Sequence, residues 1–82
     1  MNSKTLLLYS GDGCHLCDQA KDIVFQVLPA DWRLEEISIR GVPELEARYG
    51  VRIPVIAIAG GEEKGWPFTA GQVRKMVGMS EA

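Results

Sequence analysis

Residues 10–17, Ser10-Gly11-Asp12-Gly13-Cys14-His15-Leu16-Cys17, decide how the rest of the chain is read. Before Ser10 runs Thr5-Leu6-Leu7-Leu8-Tyr9, whose length and two-sided apolarity predict a strand buried on both faces. After the turn the apolar residues fall at Leu16, Ala20, Ile23, Val24, Val27 and Leu28. They form one stripe of an amphipathic helix that Pro29 stops. Cys14 therefore sits at the amino end of a helix, and Cys17 one turn in. A C-x-x-C pair set between a strand and a helix, inside a βαβ pattern, reads as a redox motif.

The chemistry follows from that placement. A free thiol has a pKa of about 8.5 and is only about 3% thiolate at pH 7, whereas unsatisfied N–H groups and the positive end of a helix dipole favour the anion. Lowering the pKa by about two units makes the thiolate the majority form. Residues three apart on a helix hold their Cβ atoms about 5–6 Å apart, slightly more than a relaxed disulfide wants, so a bridge is reachable and reversible. As a staple it is poor, because closing so short a loop is worth only about 2 kcal/mol in chain entropy. The expected cycle has Cys14, the more exposed thiol, attacking a substrate disulfide, and Cys17, more buried, resolving the mixed disulfide. The plain alternative is two small buried thiols that happen to stand three apart. A zinc site needs four ligands, and with His15 as the one histidine and no second C-x-x-C pair, no metal is expected.

Outward from the motif, Trp32 to Ile39 reads as a second strand, with Glu35-Glu36 breaking its alternation and predicting a bulge or phase change. Pro43 suits a first helical position, Leu45 and Tyr49 share a face, and Gly50 suits a left-handed residue past the helix end. Val55 to Ala59 is a β-branched strand ended by a Gly60-Gly61 turn, with Glu62 to Trp66 returning antiparallel at a sheet edge. Thr69 and Gln72 form a capping box, flanked by a Phe68–Val73 staple, for a last helix from Ala70 to about Val77, ending at Gly78. The order β-α-β-α-β-β-α predicts an α/β fold in which helix-linked strands pair parallel and the hairpin adds an antiparallel edge.

Eighty-two residues and 9.0 kDa allow a single domain over residues 1–82. With 46% hydrophobic and 24% charged residues the chain is expected to fold. A net charge of −2 offers no basic footprint, so neither nucleic acid nor a membrane surface is expected as a partner. No apolar run approaches the roughly 20 residues a bilayer demands. Met1-Asn2-Ser3-Lys4 lacks the layout of a secretory signal, which makes a reducing cytoplasm the expected compartment.

Together these residues resemble the glutaredoxin-like branch of the thioredoxin superfamily, in particular short bacterial glutaredoxin-like proteins. The resemblance covers nearly the whole chain. It rests on Leu8-Tyr9-Ser10, on Cys14-His15-Leu16-Cys17-Asp18, and on Tyr49-Gly50-Val51-Arg52-Ile53-Pro54-Val55. It implies a thioredoxin-like fold with a four-stranded mixed sheet flanked by three helices. It also implies a cis peptide bond at Pro54, which faces the cysteines, and an Ile53 backbone that pairs with the substrate beside its sulfur. Protein or small-molecule disulfides become the expected partners of a monomer that requires no cofactor, with glutathione as a possible co-substrate.

The sequence also departs from glutaredoxins that use glutathione. Gly11 stands three residues before Cys14, where Lys or Arg is usual, and Cys-His-Leu-Cys replaces C-P-Y-C. Asp12 has the wrong sign for supporting a thiolate and is expected to satisfy turn or helix-start N–H groups. In place of the family's Gly-Gly-x-Asp stands Gly65-Trp66-Pro67-Phe68-Thr69, where Thr69 offers a hydroxyl and an amide but no carboxylate. His15 has two readings: a neighbour that modulates the pKa of Cys14, or a solvent-facing first-turn residue. Trp66 and Phe68 are expected to pack under the last helix rather than serve catalysis. The favoured function is thiol–disulfide exchange. Its competitors are a non-catalytic thioredoxin-like binding module and a glutathione-dependent iron–sulfur cluster carrier.

Overall fold

Alternate residues of the first strand are sealed from solvent, and that alternation organises the molecule. The computed structural model describes residues 4–58 and 61–81, with 79–81 described by backbone alone. Strands β1 (Thr5–Ser10), β2 (Arg33–Ser38), β3 (Val55–Ile58) and β4 (Glu63–Gly65) form one sheet in the order β2-β1-β3-β4. The helices are α1 (His15–Val27), α2 (Pro43–Tyr49) and α3 (Ala70–Glu81). This is an α/β, thioredoxin-like arrangement with a four-stranded mixed sheet and three helices.

Leu6 and Leu8 point from β1 into the main core, where α1 and α3 pack together and contribute Ala20, Val24, Val73 and Met76. The opposite face is only half covered, so β1 is not buried on both faces as its composition suggested. The reason is the size of its cover: α2 has seven residues. The smaller cluster there consists of Ile39, Tyr49 and Val55, with Tyr9, Leu45 and Ile53 packed against it.

Strand directions depart from expectation in one place. β1 and β2 pair parallel through α1, but β3 runs antiparallel to β1, so the strands joined by α2 do not run parallel. A seven-residue helix spans only about 10 Å, whereas returning along a six-residue strand requires about 20 Å. The chain therefore crosses one end of the sheet and re-enters in the opposite sense. β4 then pairs antiparallel with β3 at the edge.

The expected bulge in β2 is absent, and residues 5–10 pair one for one with residues 33–38. Glu36 falls on the face that carries Leu34 and is accommodated by hydrogen bonds from Ser10 and Lys21, so the strand needs no change of phase. Gly50 is not left-handed: its φ is −51° and ψ −37°. Glycine is required there by close approach, because a Cβ would lie 2.4 Å from the Glu46 carbonyl oxygen. The last helix runs through Gly78 to Glu81, since one glycine costs only about 1 kcal/mol and no stronger stop follows. Its capping box forms, with the Thr69 N–H donating to Gln72 Oε1 and the Gln72 N–H donating to Thr69 Oγ1. Phe68 and Val73 are both buried in the main core, and Trp66 packs edge-on against Phe68. Residues 1–3 and most of the hairpin turn, Ala59 and Gly60, lie outside the described residues. Among the described residues no helix is long and apolar enough to cross a membrane.

Candidate active site

The strand-to-helix turn is made by Gly13, whose φ of +65° lies in the left-handed region that favours glycine. That turn delivers Cys14 in an extended conformation as the N-cap of α1. Its Sγ takes the place of the usual capping oxygen and accepts a hydrogen bond from the Cys17 N–H at 3.1 Å. An electron-rich sulfur thus meets a first-turn amide, which it shares with the Cys14 carbonyl at 3.2 Å, at the positive end of a thirteen-residue helix. Cys14 and Cys17 are joined as a disulfide, with their Cα atoms 5.2 Å apart. Cys14 is half-buried, while Cys17 is only 3% exposed.

Between them His15 and Leu16 face solvent. Leu16, 42% exposed, is the one departure from the expected apolar stripe, because Cys17 takes the inward position instead. Cys14 and Cys17 line a cavity of about 260 Å³ together with His15, Asp18 and Glu36. The backbone of Gly11 and Gly13 completes its wall.

Glu36 was not singled out as a site residue. It reaches the cavity from β2, where its carboxylate accepts from Ser10 Oγ at 2.8 Å and from Lys21 Nζ at 3.1 Å. The Ser10 hydroxyl holds its carboxyl below the ordinary value, and Lys21 adds to this against the opposing effect of burial. Lys21 is raised in turn, first by that hydrogen bond, and also lies 3.8 Å from Asp18. The signal in the sequence was the interrupted alternation at Glu35-Glu36, which marked a carboxylate on the core-side face rather than a bulge. Asp12 also behaves differently from expectation, pairing with the Arg40 side chain.

Ile53, which precedes Pro54, lies against the same turn. The Ile53–Pro54 peptide bond is cis, as is Trp66–Pro67. Pro54 is fully buried, and Ile53 half-buried. A Cβ added to Gly11 would lie 2.8 Å from Ile53 Cδ1, which places the Ile53 side chain directly against the turn before Cys14. The loop is held by N–H groups of Arg52 and Ile53 donating to the Tyr49 carbonyl, and by the Trp66 N–H donating to the Pro54 carbonyl. Thr69, in the stretch that replaces the Gly-Gly-x-Asp element, has its N–H and hydroxyl oxygen engaged in the capping box. Among the described residues no group of three or more His, Cys, Asp or Glu side chains is gathered to hold a metal ion.

The comparisons with known proteins agree with this geometry. The family profile of the Glutaredoxin-like domain (DUF836) matches residues 5–78. The X-ray structure of the Northeast Structural Genomics target protein XcR50 from X. campestris is similar at 38% sequence identity and a TM-score of 0.78, covering 94% of this chain and 97% of that one. The solution structure of XcR50 is similar at 37% identity and a TM-score of 0.75, covering 94% of each chain. No curated protein matches the chain. With a cysteine pair mounted on a strand–turn–helix and a family match over nearly its whole length, the chain belongs to the glutaredoxin-like family.

Proposed function

We propose that the protein is a thiol–disulfide oxidoreductase in which Cys14 is the nucleophile and Cys17 resolves the mixed disulfide. The observation that carries this reading is the hydrogen bond from the Cys17 N–H to Cys14 Sγ at the start of α1. The same amide and helix dipole that meet the sulfur in the disulfide would stabilise a thiolate once the pair is reduced. The difference in burial supports the division of labour, since an attacking sulfur needs access and a resolving one needs only its neighbour. Ile53 and Pro54 serve as the substrate platform, with the Ile53 side chain set against the turn before Cys14. His15 acts as a neighbour of Cys14 that modulates its pKa. The protein works in the cytoplasm as a monomer without a resident cofactor, taking protein or small-molecule disulfides.

The test is alkylation and exchange. In the reduced protein one thiol should react rapidly with iodoacetamide below pH 7, and it should be Cys14. Cys17→Ser should trap mixed disulfides through Cys14, and Cys14→Ser should abolish exchange. If both thiols alkylate only above about pH 8.5, the activated nucleophile is refuted and a non-catalytic binding module takes its place. A brown protein on anaerobic purification would instead support an iron–sulfur cluster carrier.

A further inference from the structure

We propose that the cavity beside the cysteine pair selects disulfides flanked by cationic or neutral groups, as in a Lys- or Arg-rich peptide segment, and disfavours anionic disulfides. This rests on the exchange chemistry proposed above. The charges at the cavity carry the inference. Asp18 and Glu36 line it with Cys14 and Cys17. One ammonium, that of Lys21, serves both carboxylates, at 3.8 Å and 3.1 Å. Two carboxylates against one ammonium leave the side chains of this rim net negative, an excess that the positive end of α1 reduces by about half a charge without reversing it. The guanidinium of Arg40 is paired with Asp12 and adds no net charge there. Gly11, in the cavity wall, brings no side chain, and the space its Cβ would occupy is taken by Ile53 Cδ1.

The reaction itself places substrate charge against that rim. Cys14 Sγ bonds to one substrate sulfur, the substrate S–S bond breaks, and the distal sulfur leaves as a thiolate that takes a proton from solvent. Cys17, having released its proton to solvent, then bonds to Cys14 Sγ and expels the second substrate sulfur, which is protonated in turn. The protein dithiol loses two electrons and two protons, and the substrate disulfide gains them. Groups next to the sulfur bonded to Cys14 stay near Asp18 and Glu36 through both displacements, and those next to the departing sulfur through the first. At about 8 Å in water each charge pair changes a rate by about two- to threefold. A dication and a dianion should therefore differ by about tenfold at low salt.

The experiment follows oxidation of the reduced full-length chain by cystamine, bis(2-hydroxyethyl) disulfide and dithiodiglycolate. Each rate is divided by that of dithiothreitol with the same compound, which cancels intrinsic reactivity. The normalised order should be cationic, then neutral, then anionic, with the span shrinking as salt rises. Asp18→Asn and Glu36→Gln should each remove the net negative charge of the rim and compress the span by about fivefold or more, to near unity. Equal normalised rates, a preference for dithiodiglycolate, or a span indifferent to both substitutions would overturn the selectivity while leaving exchange intact. Failure to react with all three would overturn the proposed function, and the selectivity with it.

Discussion

The two faces of the sheet are built by different means. The face beneath α1 and α3 is an apolar core of Leu6, Leu8, Val24, Ile56 and Val73, each fully buried. The face beneath α2 is smaller and partly polar: Tyr9 stacks on Tyr49 with centroids 4.3 Å apart. The Tyr49 hydroxyl donates to Glu63 at 2.8 Å, and Arg48 and Arg52 lie over its ring. The first face anchors the helix that carries both cysteines, and the second anchors the Ile53–Pro54 loop. Stability is thus concentrated on one face and the placing of the loop on the other.

The strongest way to break that division is to hollow the larger face. Leu8→Ala should cost about 2–5 kcal/mol in urea denaturation, a large share of what a chain of this size has. If it costs no more than a substitution beneath α2, the asymmetry of the two faces is wrong. Tyr49→Phe is that second substitution, and removing the hydroxyl bond to Glu63 should cost about 1–2 kcal/mol near neutral pH.

The same tyrosine sharpens the comparison at alkaline pH. Burial, followed by the hydrogen bond to Glu63, pushes its hydroxyl up to about 12. A folded-state value above the unfolded one means that the contribution is fully present below about pH 10 and is lost as pH rises through about 12. Tyr49→Phe should therefore show a shallower loss of stability between pH 10 and 12 than the parent, measured by denaturant unfolding at each pH.

A smaller effect is expected at the start of α3, where Thr69→Ala removes the Oγ1 cap and should cost about 1 kcal/mol. In a domain of this length that amounts to about 4–8 °C in thermal unfolding. The smallest belongs to Glu36, whose side chain is 42% exposed. Its lowered carboxyl contributes stability above the ordinary carboxylate range and loses it as pH falls through the folded value. Glu36→Gln should remove that part of the acid dependence, read as a small difference in the acid midpoint between parent and variant.

The elements that could be read in advance were those with a local cause. The apolar stripe and Pro29 marked α1, β-branching marked β3, and the Thr69–Gln72 reciprocity marked the start of α3. One error lay where a distant partner decides, and two in the choice between neighbouring positions of a helix. Glu36 fits without a bulge because Ser10, 26 residues away, donates to it. Leu16 is left outside because Cys17 takes the inward position beside Ala20 and Val24. Gly50 answers to a carbonyl of the preceding turn rather than to a left-handed cap.

The sequence by itself determined a cysteine pair at the start of a helix, because a glycine turn, an apolar stripe and a proline stop all lie in one contiguous stretch, residues 11–29. Only the tertiary structure decided that β3 would run against β1, that Ile53 would lie against Gly11, and that Asp18 and Glu36 would line the cavity of the cysteines. Those outcomes depend on how far a seven-residue helix can carry the chain and on which side chains meet across the sheet, distances in space that no local pattern records.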